Sequence, residues 1–380
     1  MKRKLWIIIG ALSILLVTLL VLLFVLGSPS DTSETTAPET SVPETTVPET
    51  TGEPATEPPT DAPEDPTDPT DPVIRYENPL TGEENGVPAT DRPFAVVINN
   101  IRQAIPQHGV SQADMIFECL AEGGVTRCMA LFSDLSDVEK LGSIRSARTY
   151  FIDLAQAFDS ILVHVGGSSY AYSDFNTTGW PHLDALVGGS SAYFYRDQDR
   201  KNAGYAYEHT LFTDGPRILA YAEKKGLVTS SDTPYDFGLT FAKDGTPAGG
   251  EPAQEISVRF RSGGKLTKLV YNEALGKYES YEYGDAYVDG NTGDTMAFTN
   301  IIVIRCSSTT DSSGYRVFHT LTGTGNGYFA CGGKIVPIKW SRSGDTANFV
   351  FTLEDGTPVT LGRGTSYVAI VPIGSPLEYT

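Results

Sequence analysis

One uninterrupted apolar run, Leu5 to Leu26, divides this chain into parts that cannot share a core. At ~1.5 Å of helical rise per residue the run is long enough to cross a hydrocarbon layer of ~30 Å. Lys2, Arg3 and Lys4 precede it, and a basic flank of this kind stays on the cytoplasmic side, so everything after the run is expected to be exported. Residues 1–27 are therefore read as a single-pass signal-anchor in the cell membrane. A cleaved signal peptide is the competing reading. Against it, the run exceeds a usual apolar region of roughly 7–15 residues, and Leu26-Gly27-Ser28 is a poor small-x-small cleavage site. No cysteine follows the run directly, which excludes lipid attachment there.

Residues 28–72 carry twelve carboxylates among Pro and Thr, with no Lys, Arg or aromatic residue. Such a segment buries too little apolar surface to offset chain entropy and reads as a disordered spacer of polyproline character. Extended at ~3.1 Å per residue, it reaches on the order of 140 Å, enough to hold a domain within or beyond a thick wall. The spacer's twelve negative charges and the three positive ones before the run account for −9 of the net −19, leaving −10 on residues 73–380. Nucleic acid is thereby disfavoured as a partner, because phosphate binding needs clustered Lys and Arg. All nineteen tyrosines follow the spacer and suit a β-rich exported fold.

Residues 73–238 predict a mixed α/β domain and residues 239–380 a mainly antiparallel β domain, an α+β chain overall. Phe94–Ile98 reads as a buried strand. Thr149–Phe158 reads as a helix with Tyr150, Phe151, Leu154 and Phe158 on one stripe, and Ser160–Val165 as the strand after it. Asp214 predicts a helix N-cap, with Pro216 early and Gly226 closing the helix. Beyond Leu239, short alternating runs between Gly-rich turns predict strands and no helix.

Cys119 and Cys128 sit symmetrically about Gly123-Gly124. A two-residue hairpin loop there makes Cys119 face Cys128 and sorts Phe117, Cys119, Ala121, Thr126, Cys128, Ala130 and Phe132 onto one core face. A disulfide and a pair of buried thiols are both compatible with that register. The same two readings hold for Cys306 and Cys331.

The ordered blocks Arg92-Pro-Phe-Ala-Val-Val-Ile-Asn-Asn100, Pro106-Gln-His-Gly-Val-Ser-Gln-Ala-Asp114, Glu118 to Arg127, Gly142-Ser-Ile-Arg-Ser-Ala-Arg148, Val163-His-Val-Gly-Gly-Ser168, His182-Leu-Asp184 and Phe194-Tyr-Arg-Asp197 together resemble the YerB-like family. Asn300-Ile-Ile-Val303 and Gly323-Thr-Gly-Asn-Gly327 are similar to its C-terminal pattern. The resemblance implies an exported Gram-positive protein with two halves of unknown function. It also implies Asp and Arg where this chain has Asn99 and Ile105, and lipid attachment where it has an apolar run.

Candidate chemistry gathers at four places. Glu118, Glu122 and Arg127 share the hairpin's second face in the two-residue register. Arg145 and Arg148 stand three apart at a helix entry, where guanidinium and amide groups can hold a carboxylate or phosphate. His164 ends a strand before Gly166-Gly167, and His182 and Asp184, two apart, project to one side. Arg196, Asp197, Arg200 and His209 lie in a tyrosine-rich stretch suited to glycan recognition or to packing as a loop. No His-x-x-x-His spacing supports a metal, no cofactor motif occurs, and Gly-x-Ser-x-Gly is absent. Two functions fit. A membrane-anchored envelope module would bind an anionic or cell-wall glycan ligand, or another envelope protein, through Arg127, Arg145, Arg148, His182, Arg196, Asp197, Arg200 and His209. A cell-wall hydrolase or transferase would use Glu122 with His164 or Asp184 as catalytic acid and base.

Overall fold

The computed structural model describes residues 76–380, so the expected anchor and spacer lie outside the described residues. Among the described residues no helix is long and apolar enough to cross a membrane. The first strand, β1 (Phe94–Asn100), is buried at every position. Its unbroken Phe-Ala-Val-Val-Ile run suits a strand covered on both faces, which loses nothing by being apolar twice over.

β2 (Met115–Leu120) and β3 (Thr126–Phe132) form the expected hairpin in a different register. The loop has three residues, Glu122–Gly124, with Gly123 and Gly124 at φ of +73° and +77°, conformations that glycine adopts without steric cost. Ala121 therefore pairs with Val125, Cys119 with Arg127 and Glu118 with Cys128. A one-residue slip moves a strand's whole side-chain set to the other face. Cys119 faces one core and Cys128 the other, which corrects the shared face drawn from the two-residue loop, and of the two readings left open for the cysteines the structure has buried free thiols at all four.

Helix α1 (Thr149–Ala157) buries Tyr150, Phe151, Leu154 and their neighbours, and leads into β4 (Ile161–His164). α2 (Ser169–Thr178) escaped the periodicity argument because it buries only Ala171 and Phe175; Ser168 caps it by accepting from the Ala171 N–H. β5 (His182–Asp184), the short α3 (Gln198–Asn202) and α4 (Gly215–Lys224) follow. Asp214 caps α4 and Pro216 stands in its first turn, as expected.

The second half contributes β6 (Glu255–Arg259), β7 (Leu266–Asn272), β8 (Lys277–Glu282), β9 (Asn300–Cys306), β10 (Ser308–Thr310), β11 (Val317–His319), β12 (Gly323–Cys331), β13 (Lys334–Arg342), β14 (Ser366–Pro372) and β15 (Leu377–Tyr379). No helix occurs among the described residues of this half. The chain is α+β, with a mixed sheet in its first part and antiparallel pairing dominating its second.

One eleven-stranded sheet crosses the molecule in the order β13, β12, β9, β14, β2, β3, β1, β4, β5, with Glu251–Pro252 and Val350–Thr352 pairing on β13. β14 slots between β9 and β2, parallel to both, and so joins strands from before and after position 239 in one ladder. α1 and α2 cover one face of this sheet. The other face packs on α4 and on a six-stranded sheet that includes β6, β7, β8 and β15, through Ile256, Leu269 and Tyr278. Each fully buried aliphatic or aromatic side chain contributes roughly 1.5–3 kcal/mol, and central strands covered on both sides collect that twice.

Candidate functional site

β1 and β2 are both antiparallel to β3, and β4 and β5 continue parallel to β1, so four strands end along one edge of the sheet. Polar side chains collect there. Glu122, in the loop after β2, is the centre of a cluster of arginines. Arg148 grips its carboxylate at both oxygens, from Nε to Oε1 and from Nη2 to Oε2 at 2.9 Å. Arg127 Nη1 lies 3.3 Å from Oε2, and Arg316 Nη1, from the turn between β10 and β11, lies 3.3 Å from Oε1. Burial alone would raise the Glu122 pKa. The Arg148 hydrogen bond and the charges of Arg127 and Arg148 overcome it and hold the carboxyl at about 2.

Three guanidiniums on one carboxylate leave an excess of positive charge, and a fourth stands beside it. Arg145 lies within electrostatic range of Arg148, Arg196 and Glu208, forms no ion pair among the described residues, and its Nε is buried without a hydrogen-bond partner. The Arg127 pKa falls to about 10, first from burial and then from repulsion by Arg148. Asn99 sits opposite Arg127 on the same face, and its amide nitrogen is 2.9 Å from His209 Nδ1 while its Oδ1 is buried and unpartnered. Burial, then Arg145, lowers the His209 pKa, so the ring is neutral beside the cluster.

Glu122, Arg127, Arg145, Arg148 and His209 are thus gathered at one edge, with Arg196 within range of Arg145 and its guanidinium stacked 3.8 Å from the Tyr207 ring centroid. The other expected site residues are engaged in bonds of their own. Arg200 spends its guanidinium on the carbonyls of Ala104, Pro106 and His209. Asp197 caps α3 through the Arg200 N–H and pairs with Lys140 at 2.8 Å. His164, His182 and Asp184 form a separate knot. His164 Nε2 is 2.9 Å from His182 Nδ1, its Nδ1 donates to the Gly166 carbonyl, and Asp184 accepts from Gly166 N–H, Leu186 N–H and Tyr172 O–H. The knot and Glu122 share no hydrogen bond or ion pair, so the expected pairing of Glu122 with His164 or Asp184 is not formed.

A second polar cluster lies on the opposite face, and the sequence offered only Glu118 as a pointer to it. Glu118 accepts from Asn100, Thr126, Thr267, Tyr367 and Lys265, and Lys265 also pairs with Glu282 at 2.8 Å. Glu118 and Glu282 are both buried, and they share one ammonium. No spacing rule brings Lys265 and Glu282 to Glu118, since the contact spans β2, the turn before β7, and β8.

The N-terminal domain model of a protein family of unknown function, DUF3048, matches residues 80–228, and its C-terminal domain model matches residues 256–368. The provisionally named lipoprotein YerB of Bacillus subtilis (strain 168) is 31% identical over 306 residues, which is 78% of this chain and 87% of that protein. The crystal structure of YerB from Bacillus subtilis matches this fold with a TM-score of 0.68 at 29% identity, over 80% of this chain and 99% of that one. Both halves of the family pattern are present in order, on a fold shared with a solved relative: the chain belongs to the YerB-like family, DUF3048.

Proposed function

We propose that this is a membrane-anchored, extracytoplasmic cell-envelope protein whose folded part binds an anionic ligand through Arg127, Arg145, Arg148 and Arg316. The observation that carries the reading is the meeting of three guanidiniums on the single carboxylate of Glu122, with Arg145 uncommitted beside them. Positive charge withdrawn from water is costly unless an anion answers it, and the folded part of this chain is otherwise acidic. The start of α1 adds the positive end of its helix dipole at Arg148. A phosphate- or carboxylate-bearing wall glycan fits, with Tyr207 as a nearby ring for a sugar face. The apolar run, the acidic spacer and the lipoprotein name of the Bacillus relative support an envelope location.

The test is retention of the full chain on isolated Gram-positive cell wall. Binding should weaken with salt, be displaced by inorganic phosphate, and fall about tenfold in R145Q, which keeps the Glu122 ion pairs. Absence of retention across pH and salt would refute the reading. An acid–base role for Glu122 is not favoured. A carboxyl held at about 2 and saturated with guanidinium donors exchanges no proton near neutral pH.

A further inference from the structure

β10 and β11 form a two-stranded ribbon whose register sets Ser308 directly opposite His319. The Ser308 hydroxyl lies 2.7 Å from His319 Nδ1, and His319 Nε2 lies 3.0 Å from the Leu120 carbonyl oxygen. A carbonyl only accepts, so Nε2 carries the ring proton, Nδ1 keeps its lone pair, and the serine O–H donates to it. A hydroxyl bonded to a basic nitrogen, on a ring oriented by a third group, is the arrangement that turns serine into a nucleophile.

The base is held in place. His319 is 4% exposed, and its ring meets Tyr150 edge-on with centroids 4.8 Å apart. The groups facing it are Tyr150 from α1, Cys306 from β9 with Sγ 3.9 Å from Nδ1, Ser308 from β10 and the Leu120 carbonyl from β2. None of these is an ion near neutral pH, and burial keeps the imidazole neutral, with a pKa of about 4. Ser308 itself is half-buried and lines a cavity of about 310 Å³ with Gly124, Arg261 and Tyr315. Arg261 lies so close over Gly124 that a Cβ there would come within 2.9 Å of its Cζ, and it makes no ion pair among the described residues. The nucleophile, the residue that carries the orienting carbonyl and an uncommitted cation thus line one small cavity, with the base buried behind the serine.

We propose that Ser308 and His319 form an esterase site for short acyl esters on a negatively charged carrier. Ser308 Oγ attacks the ester carbonyl carbon, forming an Oγ–C bond as its proton passes to His319 Nδ1. The carrier's C–O bond breaks, and the leaving alkoxide takes that proton as the alcohol. Water then attacks the acyl-serine by the same route, releasing the carboxylic acid and restoring the Ser308 hydroxyl. Arg261 holds the carrier's charge. This goes beyond anion binding at the arginine cluster and uses none of its residues.

The full chain is to be treated with a fluorophosphonate, which phosphonylates an activated serine with loss of fluoride, and the adduct located by peptide mass analysis. One adduct is expected, on Ser308. S308A should remove it, and H319Q should slow labelling by ~10²-fold, the usual worth of a positioned base. The labelling rate should be flat through neutral pH and fall as pH drops through about 4, where the imidazole gains a proton. Turnover of 4-nitrophenyl acetate should vanish with S308A as well. An unlabelled wild-type chain, an adduct on another residue, or S308A as reactive as wild type at an unchanged unfolding midpoint would each overturn the proposal. R145Q should label normally, which separates this site from the wall-binding reading.

Discussion

Glu282→Gln removes one of the two carboxylates that share the Lys265 ammonium while keeping the side chain's shape and an oxygen for Lys265 and Asn100 to bond. Burial is the largest influence on Glu282 and raises its pKa; Lys265 opposes this, Glu118 adds to it, and the carboxyl is pushed up from 4.5 to about 7. A carboxyl raised on folding stabilises the protein fully below its unfolded pKa, and that stability is lost as pH rises through the folded value. The full shift corresponds to about 3 kcal/mol, of which on the order of 2 kcal/mol disappears between about pH 5.5 and 8.5. Above its folded pKa Glu282 adds a buried negative charge to the wild-type core that E282Q never carries. The assay is urea unfolding of both proteins across that pH range. E282Q should gain on wild type as pH rises, with its midpoint moving up by roughly 1 M relative to wild type. If the two proteins keep a constant difference at every pH, Glu282 is not the group that titrates, and the reasoning about the shared ammonium fails.

Glu122→Gln should act with the opposite sign. Its carboxyl is depressed to about 2, so the stability it supplies is present above pH ~4.5 and fades as pH falls through about 2; E122Q should cost about 3 kcal/mol at neutral pH and progressively less in acid. Thiol titration of the unfolded chain should count four thiols before any reductant is added, and a smaller count would contradict the register that separates Cys119 from Cys128. R145Q should weaken wall retention without lowering the unfolding midpoint, because Arg145 makes no ion pair among the described residues.

Local pattern carried the elements whose apolar residues repeat. β1 and α1 were legible because burial on both faces of a strand, or along one stripe of a helix, writes its period into the residues. α2 was not, since ten mostly polar residues lie on the surface around Ala171 and Phe175. β12 hid behind Gly323, Gly325 and Gly327, of which Gly325 admits the Trp340 ring and Gly327 the Val303 carbonyl. The hairpin itself was legible, but its register was not. Two glycines fit a two-residue or a three-residue loop equally well, and one extra residue sends Cys128 and Arg127 to opposite faces from those first drawn.

The candidate site divides in the same way. Arg145 and Arg148 stand together because they are three positions apart at a helix entry, and this proximity belongs to the sequence, as do the apolar run, the acidic spacer and the kinship of the ordered blocks. That Arg127 and Arg316 close on the same Glu122, that Lys265 lies between Glu118 and Glu282, and that His319 reaches the Leu120 carbonyl all depend on contacts between residues up to 199 positions apart. Side-chain period is a property of neighbours along the chain. Charge pairing across a mixed sheet depends on which strands come to lie side by side, and β14, arriving between β9 and β2 from near the end of the chain, decides that only when the whole sheet has formed.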